Sequence, residues 1–270
     1  MAILLIIIAN IIWGVTPLYF FFLKESLPAY VIFMQVASSC TILLLFKWRT
    51  LSFLLLRNHV LTALLLGTNW ICYYLAIRYS RTTEASLGYL LMPFLTILCG
   101  VFFLNERIKK KQILPLVISG LGFLLLLLKG NQFPFLGILI AASFTLYTIV
   151  HKQKGNRDPF LSMLHETILM MPFIALTLST SNLTFKIIQY DIIALFPLGL
   201  IVVIPLSLYL IAIKSLSLIQ VGMSKFISPL LIMILSLYVY NEKINTHVLL
   251  AYVIIAVGAI TLTLYSVEKK

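Results

Sequence analysis

Apolar runs of roughly 18 to 22 residues recur along this sequence, each long enough for a helix to cross a hydrocarbon core of about 30 Å. An open strand in lipid would leave its backbone N–H and C=O groups unpaired, so each run must be a helix. Hydrophobic residues make up 61% of the 270 and charged residues 10%, too few charges to cover a soluble surface. The sequence therefore specifies an all-α polytopic membrane protein.

Ten spans are expected, over residues 2–22, 29–46, 60–77, 83–104, 112–128, 134–150, 160–178, 191–212, 218–240 and 246–265. Turn and charge signals separate them, among them KESLP at 24–28, KGNQFP at 129–134 and KGNRDP at 154–159. Asp158-Pro159 suits a helix start: an acceptor for the first free N–H groups, then a proline that gives up no needed donor. The first run has no basic residue before it and contains Trp13, Gly14 and Pro17, which favours a retained first helix over a cleaved signal peptide.

The net charge of +12 does not indicate nucleic acid as a partner, because the basic residues sit in short loops rather than on one amphipathic face. With ten spans both termini share a side. Placing them in the cytoplasm puts thirteen Lys and Arg inside, including the Arg107-Ile108-Lys109-Lys110-Lys111 run, against six outside, with Lys225 left within a span. Basic residues concentrate on the cytoplasmic face of membrane proteins. The expected location is thus a bacterial-type cell (inner) membrane, multi-pass, with both termini cytoplasmic. Cys40, Cys72 and Cys99 fall within apolar runs without metal-ligand spacing and read as small buried hydrophobes.

Sliding the chain by 136 positions brings rare residues into register. Pro93 meets Pro229, Gly122 meets Gly258, and Asn105-Glu106 meets Asn241-Glu242. A unit of five spans is odd, so a second copy enters the membrane the other way up. The expected organisation is 1–130 as a first five-helix repeat and 131–270 as a second, inverted one, together one structural unit with a site near mid-membrane between them. Pro93 and Pro229 each remove one helical hydrogen bond, making them hinge candidates or static kinks.

NW at 69–70, EASLGY at 84–89, NER at 105–107, ET at 166–167 before MMP, and YNEK at 240–243 resemble the RarD-type branch of the EamA, or drug/metabolite transporter, superfamily. The resemblance runs through essentially the whole chain in order. It implies ten helices in two inverted five-helix repeats around a central cavity. That cavity would be lined mainly by the third, fourth, eighth and ninth spans, with help from the first, second, sixth and seventh. Two departures stand out: Met34-Gln35 replaces a His-Arg pair of the second span, and Lys225-Phe226 before Ser228-Pro229 replaces a Gln-Tyr before Gly-Pro in the ninth.

Two charges lie at membrane depth, where an isolated ion costs several kcal/mol unless paired, wetted or neutralised. Glu166, seven residues beyond Pro159, could bind a substrate amine, accept a coupling proton, or pair with Lys225 as a brace. Lys225, seven residues past Leu218, either snorkels to the interface or offers a cavity point charge to an anionic group such as a carboxylate or phosphate. Glu84 suits a helix N-terminus near the cavity mouth, with coupling as the alternative.

Asn10, Gln35, Asn69 and Ser86 are polar groups within spans, available to ligand or to neighbouring helices. Trp13, Tyr19, Trp70, Tyr73, Tyr89 and Phe226 could stack on a flat substrate or simply pack, and the family motifs single out Trp70 and Tyr89. His59, His151 and His247 sit at span edges and His165 adjoins Glu166, all expected at surface or interface positions, so neither a metal nor a cofactor is expected.

There is no GxxxxGK[ST] run for ATP hydrolysis and no Ser/His or clustered-acid pattern for catalysis. The expected function is a secondary transporter, not an enzyme, working by alternating access on a small organic metabolite or drug within the lipid bilayer. Coupling would be to a proton or a counter-substrate. A lipid flippase or an intramembrane enzyme is the alternative.

Overall fold

The computed structural model describes residues 1–22, 28–79, 82–128, 134–155, 157–179, 195–239 and 245–267. Apart from short turns between residues 48 and 59, the helices among these are α1 (Ala2–Phe22), α2 (Pro28–Lys47), α3 (Val60–Arg78), α4 (Thr82–Leu104), α5 (Lys110–Leu128) and α6 (Phe135–Gln153). They continue with α7 (Pro159–Ser179), α8 (Leu198–Ile213), α9 (Leu218–Ser224), α10 (Ile227–Tyr238) and α11 (Thr246–Val267). Among the described residues, eight stretches are long and apolar enough to cross a membrane, and Leu198–Ile213 of α8 and Thr246–Leu262 of α11 supply two shorter apolar segments. Large apolar side chains such as Leu45, Phe46, Phe102, Phe103, Leu114 and Leu176 face outward, as a lipid-facing surface requires. The fold is an all-α polytopic bundle.

Expected and observed boundaries agree within a few residues, with two instructive differences. The ninth span is not one helix. It breaks at Lys225-Phe226, between α9 and α10. Pro229, which has no N–H to offer the Lys225 carbonyl four residues back, leaves the helix free to break there. The chain tightens there instead, with Lys225 N–H donating to Gly222 O at 3.1 Å and Phe226 N–H to Met223 O at 3.4 Å. Pro93, its counterpart, sits inside an unbroken α4. The eighth span was expected from residue 191, but its described helix begins at Leu198, and 191–194 lie outside the described residues.

The helix ends follow the sequence. Asp158 Oδ1 accepts from Phe160 N–H at 2.9 Å, capping α7 as its Asp-Pro pair predicts. Ser217 and Gln220 close a reciprocal capping box on α9, each accepting from the other's backbone N–H. Asn105 ends α4 in the left-handed region (φ 51°), which asparagine tolerates better than most residues.

Helix packing pairs the two halves of the chain. α5 packs on α11, α2 on α7, and α4 on α9, each joining a span to the one five places later. The pairings α4–α6 and α3–α6 are matched by α1–α10 and α1–α8, as exchange of the halves requires. At the α5–α11 crossing the match is residue by residue. A Cβ added to Gly122 would meet Ala251 O at 2.8 Å, and one added to Gly258 would meet Pro115 O at 2.6 Å, two contacts related by the 136-residue shift. Ser119 donates to Ile255 O, a pair that the same shift relates to itself. Along this crossing one residue number rises as the other falls, so the helices are antiparallel. The architecture is two inverted five-helix repeats.

Close approach at α4–α6 depends on two glycines. A Cβ on Gly88 would lie 2.6 Å from Gly137 O and 2.9 Å from Gly137 Cα. Small residues at such crossings let backbones touch. Gly88→Leu is therefore expected to destabilise the bundle by about 1–3 kcal/mol through overpacking, read as a lower unfolding midpoint in detergent.

Candidate functional site

A cavity of about 360 Å³ opens into the bundle, within the size range of small-molecule sites. Its lining comes from the C-terminal halves of α1 and α3, the N-terminal halves of α2, α4 and α8, the middle of α6, and the α9–α10 break. These segments place it from mid-bundle toward the end that carries the start of α2. The end carrying Lys47 and Asp158 contributes none of this lining.

The polar lining is Asn10, Thr16, Gln35, Asn69, Lys225 and Ser228, and the aromatic lining is Trp13, Trp70, Tyr73, Tyr89 and Phe144. Asn10 pins the break. Its Nδ2 donates to Ile6 O at 2.7 Å and Ser224 Oγ at 3.3 Å, while Ser228 Oγ donates to Asn10 O at 2.8 Å. Asn69 Nδ2 donates to Ile140 O at 2.8 Å, tying α3 to α6. Trp13 stands edge-on to Phe144 at 5.8 Å between centroids, and Tyr73 edge-on to Tyr89 at 6.0 Å.

Lys225 does not snorkel. Its side chain turns into the bundle, where Nζ donates to Thr96 Oγ1 at 3.1 Å and Thr148 Oγ1 at 3.5 Å. The ammonium lies 4.7 Å from the Phe144 ring centroid and 5.5 Å from that of Tyr209. Thr148 Oγ1 is fixed in turn by Tyr209 OH at 2.6 Å and the Phe144 carbonyl at 2.8 Å. Among the described residues, no carboxylate pairs with Lys225.

Glu166 is also buried, but it neither pairs with Lys225 nor lines the cavity. His151 Nε2 bonds its Oε1 at 2.7 Å, Tyr147 OH donates to its Oε2 at 2.9 Å, and His59 Nδ1 lies 3.7 Å from Oε1. The expected surface or interface placement of the histidines is thereby corrected for three of them. His59, His151 and His165 are all buried: His151 and His59 face the carboxylate, and the His165 ring lies 4.9 Å from that of His59. This cluster turns the polar face of α7 away from the cavity, so α7 contributes none of the lining expected of the seventh span.

The remaining candidates fall in different places. Phe226 is buried outside the cavity, edge-on to Phe94 at 5.2 Å. Ser86 Oγ lies 3.0 Å from Tyr252 OH, joining α4 to α11. The Glu84 side chain lies outside the described residues, although Gln220, its counterpart, does start a helix. Asn241 and Glu242 lie outside them too. Cys40 and Cys72 are buried as expected, whereas Cys99 is partly exposed. Sequence reading missed Phe144, Tyr209, Thr96 and Thr148, whose residue types are ordinary in a membrane helix.

Polar contacts close the Asp158 end, most of them between the halves. Glu106 reaches α9, its Oε1 accepting from Leu218 N–H at 2.7 Å and its Oε2 from Ile219 N–H at 2.9 Å. Lys154 Nζ donates to Asn58 O at 2.5 Å, and Lys152 Nζ to Ile213 O at 3.0 Å and to Leu216 O. Lys47 Nζ meets Asp158 Oδ2 at 2.5 Å. Partial burial pushes the Asp158 carboxyl upward, but bonds from Lys47 and the Phe160 N–H outweigh it and hold the group below its usual 3.8. A depressed carboxyl contributes stability above its unfolded value and loses it as pH falls through the folded one. Asp158→Asn is expected to lower the thermal midpoint modestly at neutral pH, where this contribution is fully present, and to flatten the acid limb below pH 3.8, so that the difference from the unmodified chain fades as pH falls.

The bundle is that of a polytopic membrane protein, and its relatives give its class, a membrane transporter. The EamA-like transporter family matches residues 1–128 and again 133–264, and the chain belongs to that family. An uncharacterized transporter of Vibrio cholerae is 30% identical over 90% of this chain and 85% of its own length. Protein RarD of Salmonella typhi is 28% identical over 99% and 97%, and Protein RarD of Escherichia coli 28% identical over 89% and 86%. The chain is a RarD-type member of its superfamily. A crystal structure sharing 17% identity superposes with a TM-score of 0.76 over 99% of both chains, which shows the fold.

Proposed function

We propose that the chain is a secondary transporter that carries a small organic metabolite or drug across a bacterial inner membrane by alternating access, without chemically altering it. The observation that carries this reading is the cavity, which ends at mid-bundle on the Lys225 cage and is sealed from the opposite end by contacts between the halves. Residues 1–130 and 131–270 are the two units that rock, and the α9–α10 break at Pro229, with Pro93 opposite, gives the motion its weak points. With both termini in the cytoplasm, the described cavity lies toward the outer side and the contacts between the halves lie toward the inner one.

Asn10, Trp13, Gln35, Asn69, Trp70, Tyr89 and Lys225 form the binding surface in this reading. Glu166 serves coupling instead of binding: a buried carboxylate among three imidazoles is a set of groups able to exchange a proton. Purified protein in proteoliposomes tests the function. Saturable flux of a soluble labelled solute, unaffected by ATP and absent from empty vesicles, is the expected result. Lipid scrambling without solute flux would make the chain a flippase.

A further inference from the structure

We propose that the ligand of the cavity is a monoanion with a flat apolar body, its acid group bound at the Lys225 ammonium. The inference rests on reading the cavity as the transport site and adds its substrate class. A buried ammonium without a counter-ion is costly, and two threonine hydroxyls with two ring faces repay only part of the lost hydration. Lys225 is 4% exposed and pairs with no described carboxylate. The other buried ion, Glu166, is already occupied by His151 and Tyr147. The charge missing from the site therefore arrives with the ligand.

Charge number follows from the lining. Lys225 is the one charged residue among the described residues that line the cavity, so a single negative charge is balanced and a phosphate dianion would keep an uncompensated one. A cationic ligand meets repulsion at the floor. The walls then select the body. Trp13, Trp70, Tyr73, Tyr89 and Phe144 offer ring faces and edges to a planar group, while the amides of Asn10, Gln35 and Asn69 can orient polar substituents.

Isothermal titration of the purified full-length chain with indole-3-acetate, indole-3-acetamide and tryptamine compares one ring in three charge states. The acetate is expected to bind at least about tenfold more tightly than the amide or the amine, as a charge-assisted bond at a desolvated site implies. Lys225→Met is expected to bring the acetate down to the amide, with an unfolding midpoint at or above that of the unmodified chain. Lys225→Arg is expected to keep the preference. Equal or tighter binding of amide or amine, an anion preference that survives in Lys225→Met, or binding of none of the three overturns the proposal. Anion-selective binding without flux in proteoliposomes would defeat the transport reading and leave this one standing. Flux of neutral or cationic solutes without anion preference would do the reverse.

Discussion

Glu166→Leu is expected to lower the stability of the bundle by about 3–5 kcal/mol, the usual result of removing one partner from a buried charged network. The substitution roughly keeps volume and apolar packing, so the loss reports the polar contacts. His151 Nε2 and Tyr147 OH are left in the interior without their acceptor, and each unpaired buried group costs about 1–3 kcal/mol. The tie between α6 and α7 goes with them. Denaturant titration in detergent measures it. Glu166→Gln keeps an acceptor for Tyr147 and should cost less than half as much. If Glu166 couples transport to protons, Glu166→Gln also abolishes the pH dependence of flux, and an unchanged flux–pH profile would make the cluster a brace alone.

Glu106→Ala is expected to act on conformation more than on folding. Its carboxylate caps two free N–H groups at the start of α9, where the helix dipole favours negative charge. Losing two charge-assisted bonds at this half-buried position is worth about 2 kcal/mol, a roughly thirtyfold shift of a two-state equilibrium. That shift disfavours the state closed at the Asp158 end, because Glu106 and α9 belong to opposite halves. A single cysteine placed at Asn58 should then react faster with an impermeant maleimide applied from that side. An unchanged rate would mean that the Glu106 contact persists in both states.

The fold was legible because membrane physics leaves few choices. Run length set the spans, Asp158-Pro159 set a helix start, and the 136-residue register that matched Gly122 with Gly258 also relates the backbone contacts those two glycines make. Of the residues singled out by rarity, Lys225, Asn10, Asn69, Trp13, Trp70 and Tyr89 line the cavity. What stayed hidden was pairing. Glu166 and Lys225 looked like mutual partners because both are buried charges of opposite sign, yet sequence depth says nothing of the direction in which a side chain points around its helix. His59 and His151 come from span edges far from Glu166 in sequence, and only packing of α3, α6 and α7 brings them together. The Lys225 cage was equally silent, since Thr96 and Thr148 bond carbonyls of their own helices as any membrane threonine can, and only packing brings both beside Nζ.

The central claim, that solute crosses by opening an end now closed, has a direct measurement. Lys154 of one half touches Asn58 of the other at the closed end. With Cys40, Cys72 and Cys99 replaced by alanine, cysteines at positions 58 and 154 can be joined by a short cleavable cross-linker in proteoliposomes. Solute flux should fall to the empty-vesicle level when they are joined and return on cleavage. Undiminished flux through the joined protein would contradict alternating access.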